Sequence, residues 1–107
     1  MQFGNEKRRY PRKNLNRLVK VASHSGESKQ VVGVNYSQGG MALNCQVPLP
    51  EGEFVYLEFR TNEAEQQGFS IAAEVMQNIK HGSMYLTGVK FVGTLESARD
   101  SNVELMA

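Results

Sequence analysis

The chain has 107 residues, 40% of them hydrophobic and 21% charged, a composition that fits one soluble globular domain around one modest core. No stretch approaches the roughly 18 apolar residues that span a bilayer, and MQFGNEKRR at the start offers no apolar run for a signal peptide, so a cytoplasmic protein without membrane insertion is expected. The lone Cys45 excludes an intrachain disulfide and a thiolate metal cage, while the net charge of +1 hides seven Lys and Arg against one Glu in residues 1–20 (+6) and five against ten in the rest (−5).

The basic arm comes first. KRRYPRKNLNR, residues 7–17, gathers Lys7, Arg8, Arg9, Arg12, Lys13 and Arg17 around Tyr10 and Pro11. Pro11 holds the residue before it to extended geometry, so Arg8 and Arg12 are not neighbours on a helical face. An extended arm instead presents them to a ligand from two sides. The rigid donor fork of arginine suits phosphate oxygens or the O6/N7 edge of guanine. For charge alone, a solvated, disordered tail explains the arm better than a polyanionic partner does.

After the arm, period-2 alternation takes over. In LNRLVKVAS, Leu15, Val19 and Val21 share a face with Arg17, and HSGES at 24–28 is a hairpin loop. SKQVVGVNYS is a second strand. GMALNCQV is a third, with Met41, Leu43, Cys45 and Val47 on one face and Cys45 read as a buried strand cysteine. PLPEGE punctuates the chain before EFVYLEFRT, where Val55, Leu57 and Phe59 alternate with Phe54, Tyr56 and Glu58. NEAEQQG at 62–68 is a loop, and Phe69, Ile71, Ala73, Val75 and Ile79 line one face of a fifth strand. KHGS turns into SMYLTGVKFVG, a sixth; His24 and His81 both fall in turns, with no carboxylate cluster to make a metal site. The tail changes period, placing Leu95, Ala98, Val103 and Leu105 or Met106 on one helical face that plugs an end of the sheet. Six short strands with connections of 3–7 residues fit an all-β antiparallel barrel or sandwich. The expected layout is an arm over 1–14 and one β domain over 15–107, with a C-terminal helix from about residue 95.

Enzyme signatures fail on their own geometry. NYSQG at 35–39 lacks the first glycine of a G-x-S-x-G elbow and leads into a strand, not a helix. Asp100 is the only aspartate, so a Ser-His-Asp triad is hard to assemble. No phosphate-binding glycine loop and no paired-carboxylate motif is present, and no catalytic residue is assigned.

Asn35-Tyr36-Ser37-Gln38-Gly39-Gly40 reads first as a turn between strands. The same residues supply an amide, a hydroxyl and a glycine that lets backbone approach a ligand. With the arm, they form an ordered pair of motifs. Arg8-x-x-x-Arg12 followed by Asn35-x-Ser37-x-x-Gly40 resembles the R-x-x-x-R and [D/N]-x-S-x-x-G signature of bacterial PilZ domains. Thr87-Gly88-Val89-Lys90-Phe91 is similar to the glycine-hydrophobic-basic-Phe strand of that family, and the likeness spans about residues 6–93.

The resemblance implies a six-stranded β-barrel that binds cyclic di-GMP and is not an enzyme, with no cofactor and no metal. By analogy, Arg8 and Arg12 clasp phosphates and guanine edges, Asn35 and Ser37 read a guanine, and Gly40 allows the turn beneath it. Lys7, Arg9 and Gly39 are supporting contacts. Lys7 stands where members that take a stacked ligand dimer usually have arginine, and Asn35 stands where aspartate is commoner. A single-domain member implies an adaptor that hands the signal to a downstream protein. Two other readings are a nucleic-acid-binding barrel and a PilZ-like adaptor that binds only proteins. The first requires aromatics exposed on a strand face, whereas most of the tyrosines alternate within expected core strands, and the acidic body disfavours a long nucleic acid. The second fits members lacking the arginine pair.

Overall fold

Each alternating stretch becomes a strand because alternation lets a sheet bury one face. The structure, a computed structural model, describes residues 11–61 and 68–96. The strands are β1 (Lys13–Ala22), β2 (Ser28–Tyr36), β3 (Gly40–Cys45), β4 (Phe54–Arg60), β5 (Gly68–His81) and β6 (Met84–Phe91). They close into an antiparallel barrel in the order β1-β2-β3-β6-β5-β4. Gly82, at φ 66°, supplies the left-handed residue that the two-residue β5–β6 hairpin demands.

The barrel interior is filled by the inward set of each strand, from Leu15, Val19 and Val21 on β1 to Val89 and Phe91 on β6. Phe59 lies at its centre, with ring centroids 6.4 Å from Tyr36, 5.5 Å from Phe69 and 6.4 Å from Phe91. Arg17 shares the inward side of β1 and donates from Nη1 to the Thr61 carbonyl at 2.8 Å, which takes its charge to the barrel end. Cys45 is buried as expected, and burial pushes its thiol pKa up despite the opposing hydrogen bond to Thr87 and the positive charge of Lys29.

Several expectations are corrected. Val47 does not continue the inner face of β3, because that strand stops at Cys45 and Val47 stands 59% exposed in the turn. Ile79 is 52% exposed: β5 carries an extra residue between Val75 and Gln77, and a one-residue bulge exchanges the two faces. Asn78 turns inward in its place. Of the described tyrosines only Tyr36 is in the core, since Tyr56 points outward at 60% exposure and Tyr85 is half-buried beneath Lys80. His81 is the last residue of β5 and not part of the turn.

β1 begins at Lys13, so the last two residues assigned to the arm stand in the sheet. Lys7, Arg8 and Arg9 lie outside the described residues, as does the expected helix beyond Glu96. Leu95, its first apolar position, is buried in the core. Among the described residues no helix is long and apolar enough to cross a membrane.

Candidate ligand-binding site

β2 ends on Tyr36, whose ring is locked into the aromatic cluster, and this fixes where the following turn starts. The turn then holds itself. Ser37 N–H donates to the Gly40 carbonyl at 2.9 Å, and Gly39 N–H donates to Ser37 Oγ at 3.2 Å. Ser37 is only 9% exposed, so its hydroxyl acts first as a brace for the turn. Gly40 is required by packing: a Cβ there would stand 2.5 Å from the Val89 carbonyl oxygen of the neighbouring strand.

Gln38 and Gly39 anchor the turn to the chain after β6. Phe91 N–H donates to the Gly39 carbonyl at 2.9 Å, Leu95 N–H to the Gln38 carbonyl at 3.1 Å, and Glu96 N–H to Gln38 Oε1 at 2.9 Å. The role of Gln38 was not legible in the motif, where it fills a variable position; its partners lie 57 and 58 residues away and meet it only in the folded barrel.

Asn35 precedes the inward Tyr36 and therefore faces outward, half-buried. Across 23 residues of sequence, Arg12 Nη1 donates to Asn35 Oδ1 at 2.6 Å. The fold thus joins the end of the arm to the start of the turn motif, as β1–β2 pairing requires, with Lys13 opposite Tyr36 and Asn14 opposite Asn35. Donation from a charged group to an amide makes a strong hydrogen bond without adding a negative charge to the site. Arg12, Asn35, Ser37, Gly39 and Gly40 are brought together at one end of the barrel. Lys90 of the third motif pairs with Gly40 on β3 and faces solvent, while Thr87 and Phe91 of that motif are core residues.

Among the described residues no three His, Cys, Asp or Glu side chains come together. The site consists of cationic, amide, hydroxyl and backbone groups, whose chemistry suits anions and base edges.

A closed barrel of six antiparallel strands, with Arg12 bonded to Asn35 beside a polar turn, defines a small all-β domain. A family model described as PilZ domain matches residues 6–106, and the chain belongs to the PilZ domain family. Among solved structures it is similar to the Bacillus subtilis inhibitor of motility, MotI/DgrA, with a TM-score of 0.65 and 18% identity over 81% of this chain and 43% of that one. It is also similar to the K. pneumonia MrkH–c-di-GMP complex, with a TM-score of 0.61 and 22% identity over 78% of this chain and 43% of that one. The chain spans less than half the length of either protein. No curated protein sequence matches it.

Proposed function

We propose that this PilZ domain is a non-enzymatic, cytoplasmic receptor for cyclic di-GMP that needs no metal or cofactor and passes its signal to a downstream protein. The Arg12–Asn35 bond carries this reading, because it unites the two halves of the family signature on one outward-facing corner. Arg8, with Arg12, grips phosphate and guanine edges. Asn35 reads the N–H groups of a guanine, and Lys7 and Arg9 add charge around it. Ser37, Gly39 and Gly40 keep the turn in the shape that puts Asn35 in reach. The ligand replaces the Arg12–Asn35 bond with its own contacts, and the closed arm presents a surface absent from the free protein. The c-di-GMP bound in the MrkH complex supports the choice of ligand at the level of the shared fold.

Titration calorimetry with cyclic di-GMP tests the reading. Charge-assisted hydrogen bonds are worth about 1.5–3 kcal/mol each, so Arg8→Ala/Arg12→Ala weakens binding by about 100-fold or more, and Ser37→Ala weakens it less. Unchanged affinity in the double variant ends the proposal.

One observation favours nucleic acid as the partner: Phe54 and Tyr56 stand exposed side by side on the outer face of β4. They share that face with Glu58 and Glu74, which repel phosphate. Oligonucleotide binding that is steeply salt-dependent and tighter than dinucleotide binding selects this alternative.

A further inference from the structure

The acid excess of the chain is concentrated in one element. Residues 21–107 balance at −5, and residues 51–78, which form β4, most of β5 and the approach to them, alone hold six glutamates against Arg60, the same −5. Residues 21–50 and 79–107 are each neutral. The outer face of β4 and β5 also leaves large apolar side chains in water. Phe54, Tyr56 and Met76 are exposed there, and so is Val92, which directly follows β6.

Strand pairing fixes how these side chains sit together. Tyr56 lies between Ala22 on β1 and Ala72 on β5, and Val92 N–H donates to the Ala72 carbonyl at 2.9 Å. The small Ala72 therefore stands between Tyr56 and Val92, which lie about 10 Å apart across two strand spacings. Glu74, two residues along β5, pairs with Phe54, and Glu58, two residues along β4, pairs with Ser70 and reaches Lys20 at 3.9 Å. Lys20 and Lys90 stand at the outer ends of these rows. The sheet gains little from the aromatics. Rings in a strand stabilise it through aromatic or β-branched partners opposite, and here they face Glu74 and Ala72. Single exposed apolar residues are ordinary, but a contiguous patch rimmed by polar groups marks an interaction site.

The cations of the chain's own arm do not reach this patch. Tyr56 stands beside Ala22, nine residues along β1 from Lys13 and about 30 Å away at 3.3 Å per residue. Lys7 is six residues before Lys13, about 22 Å at full extension, and Arg8 and Arg9 are nearer still. The complementary charge has to come from another molecule.

We propose that the outer face of β4 and β5 is a docking surface for a basic amphipathic helix of a partner protein. One apolar side chain of that helix sits over Ala72 between Tyr56 and Val92, and its lysine or arginine side chains meet Glu58 and Glu74. A helix is about 10–12 Å across, which matches the width between the two flanking residues. Nucleic acid suits the patch less, because its phosphates would meet the same carboxylates. Tyr56 is at the opposite end of β1 from the Arg12–Asn35 corner, so this surface goes beyond the receptor reading and stands without it.

An NMR titration of the isotope-labelled protein with a synthetic helix of about four turns, leucines on one face and lysines on the other, tests the proposal. The signals of Tyr56, Ala72 and Val92 move as the peptide is added. Tyr56→Ala weakens binding about tenfold or more, and Glu58→Gln/Glu74→Gln weakens it about fivefold. Val32→Ala, at an exposed apolar position on β2, leaves affinity unchanged and controls for unspecific contact. A peptide with glutamates for lysines does not bind, nor does one of the same composition whose leucines form no stripe. The proposal is overturned if the lysine peptide moves no signal on β4 and β5, if the stripe-free peptide binds as tightly, or if Tyr56→Ala binds within about twofold of the native protein. Movement of the same signals on concentrating the protein alone would assign the face to a second copy of the chain. Movement with a single-stranded oligonucleotide and not with the peptide would assign it to nucleic acid. Either result removes the helix.

Discussion

At the scale of the residue, two glycines on neighbouring strands of the sheet, Gly40 and Gly88, meet different surroundings. Gly40 is needed by the protein itself, since the Val89 oxygen against its missing side chain belongs to the backbone of the adjacent strand and has nowhere to move. Forcing a methyl group into such a contact costs about 1–3 kcal/mol. Gly40→Ala therefore lowers the urea midpoint of unfolding, whereas Gly88→Ala does not; equal loss in both would show that Gly88 is held by packing after all. Cys45 gives a residue-scale prediction with a sign. Its folded pKa is raised from the ordinary 9.0, chiefly by burial, so the folded state keeps the proton more tightly than the unfolded chain. That contribution is complete below about pH 9 and is lost as the pH rises through the folded pKa. The stability of the native protein relative to Cys45→Ala is accordingly flat from pH 6 to 8 and declines above 9 in pH-dependent denaturation. A relative stability that rises on the alkaline side would contradict the buried neutral thiol.

At the scale of the element, period-2 patterning made the strands legible and left their register hidden. Leu15, Val19, Met41, Leu57 and Ile71 all point inward as their alternation requires. Ile79 does not, because the bulge after Val75 is a mismatch between β5 and β6 and no single strand records it. The candidate site divides the same way. Arg12 and Asn35 announce themselves by motif and spacing, but the hold of Gln38 on Leu95 and Glu96 exists only in the folded barrel. Asn78, which the bulge turns inward, shows what such a change can build. Its Oδ1 accepts from Leu49 N–H at 3.1 Å and from Thr87 Oγ1 at 2.6 Å, and its Nδ2 donates to the Leu49 carbonyl at 2.8 Å. The connection between β3 and β4 is thereby pinned to β5 and β6. Asn78→Ala strands these partners next to a fully buried Thr87, with a cost of about 1–3 kcal/mol for each polar group left unsatisfied. Asn78→Ala is expected to destabilise the barrel by about 2–4 kcal/mol, and Thr87→Val recovers part of that loss in the double variant. Strict additivity of the two changes in a double-mutant cycle would mean that the network does not act as a unit.

At the scale of the whole molecule, the net charge conceals how the charge is arranged. β1, β2, β3 and β6 carry Lys13, Arg17, Lys20, Lys29 and Lys90 and not one Asp or Glu, while the carboxylates of the described strands are Glu58 on β4 and Glu74 on β5. The side of the barrel that holds the candidate site is therefore the side free of acid in its strands, which favours approach of a dianion over any particular orientation of the arm. On the proposed reading the arm's task is retention, and that role can be tested apart from folding. β1 opens at Lys13, and among the described residues every core residue lies at or after Leu15. A chain beginning at Pro11 should melt within about 2 °C of the 107-residue chain, because the described core begins at Leu15, and it keeps Arg12, Asn35 and the acid-free strands. The 107-residue chain at a ligand concentration of 100 times Kd gains about 2.7 kcal/mol, a rise on the order of 10 °C for a domain of this size. At the same ligand concentration the shortened chain, deprived of Arg8, shows less than a quarter of that rise, and its residual binding depends less steeply on salt than that of the 107-residue chain, because fewer cations meet the phosphates. A shortened chain that keeps the whole shift would place retention in the barrel face alone and leave the arm outside the site.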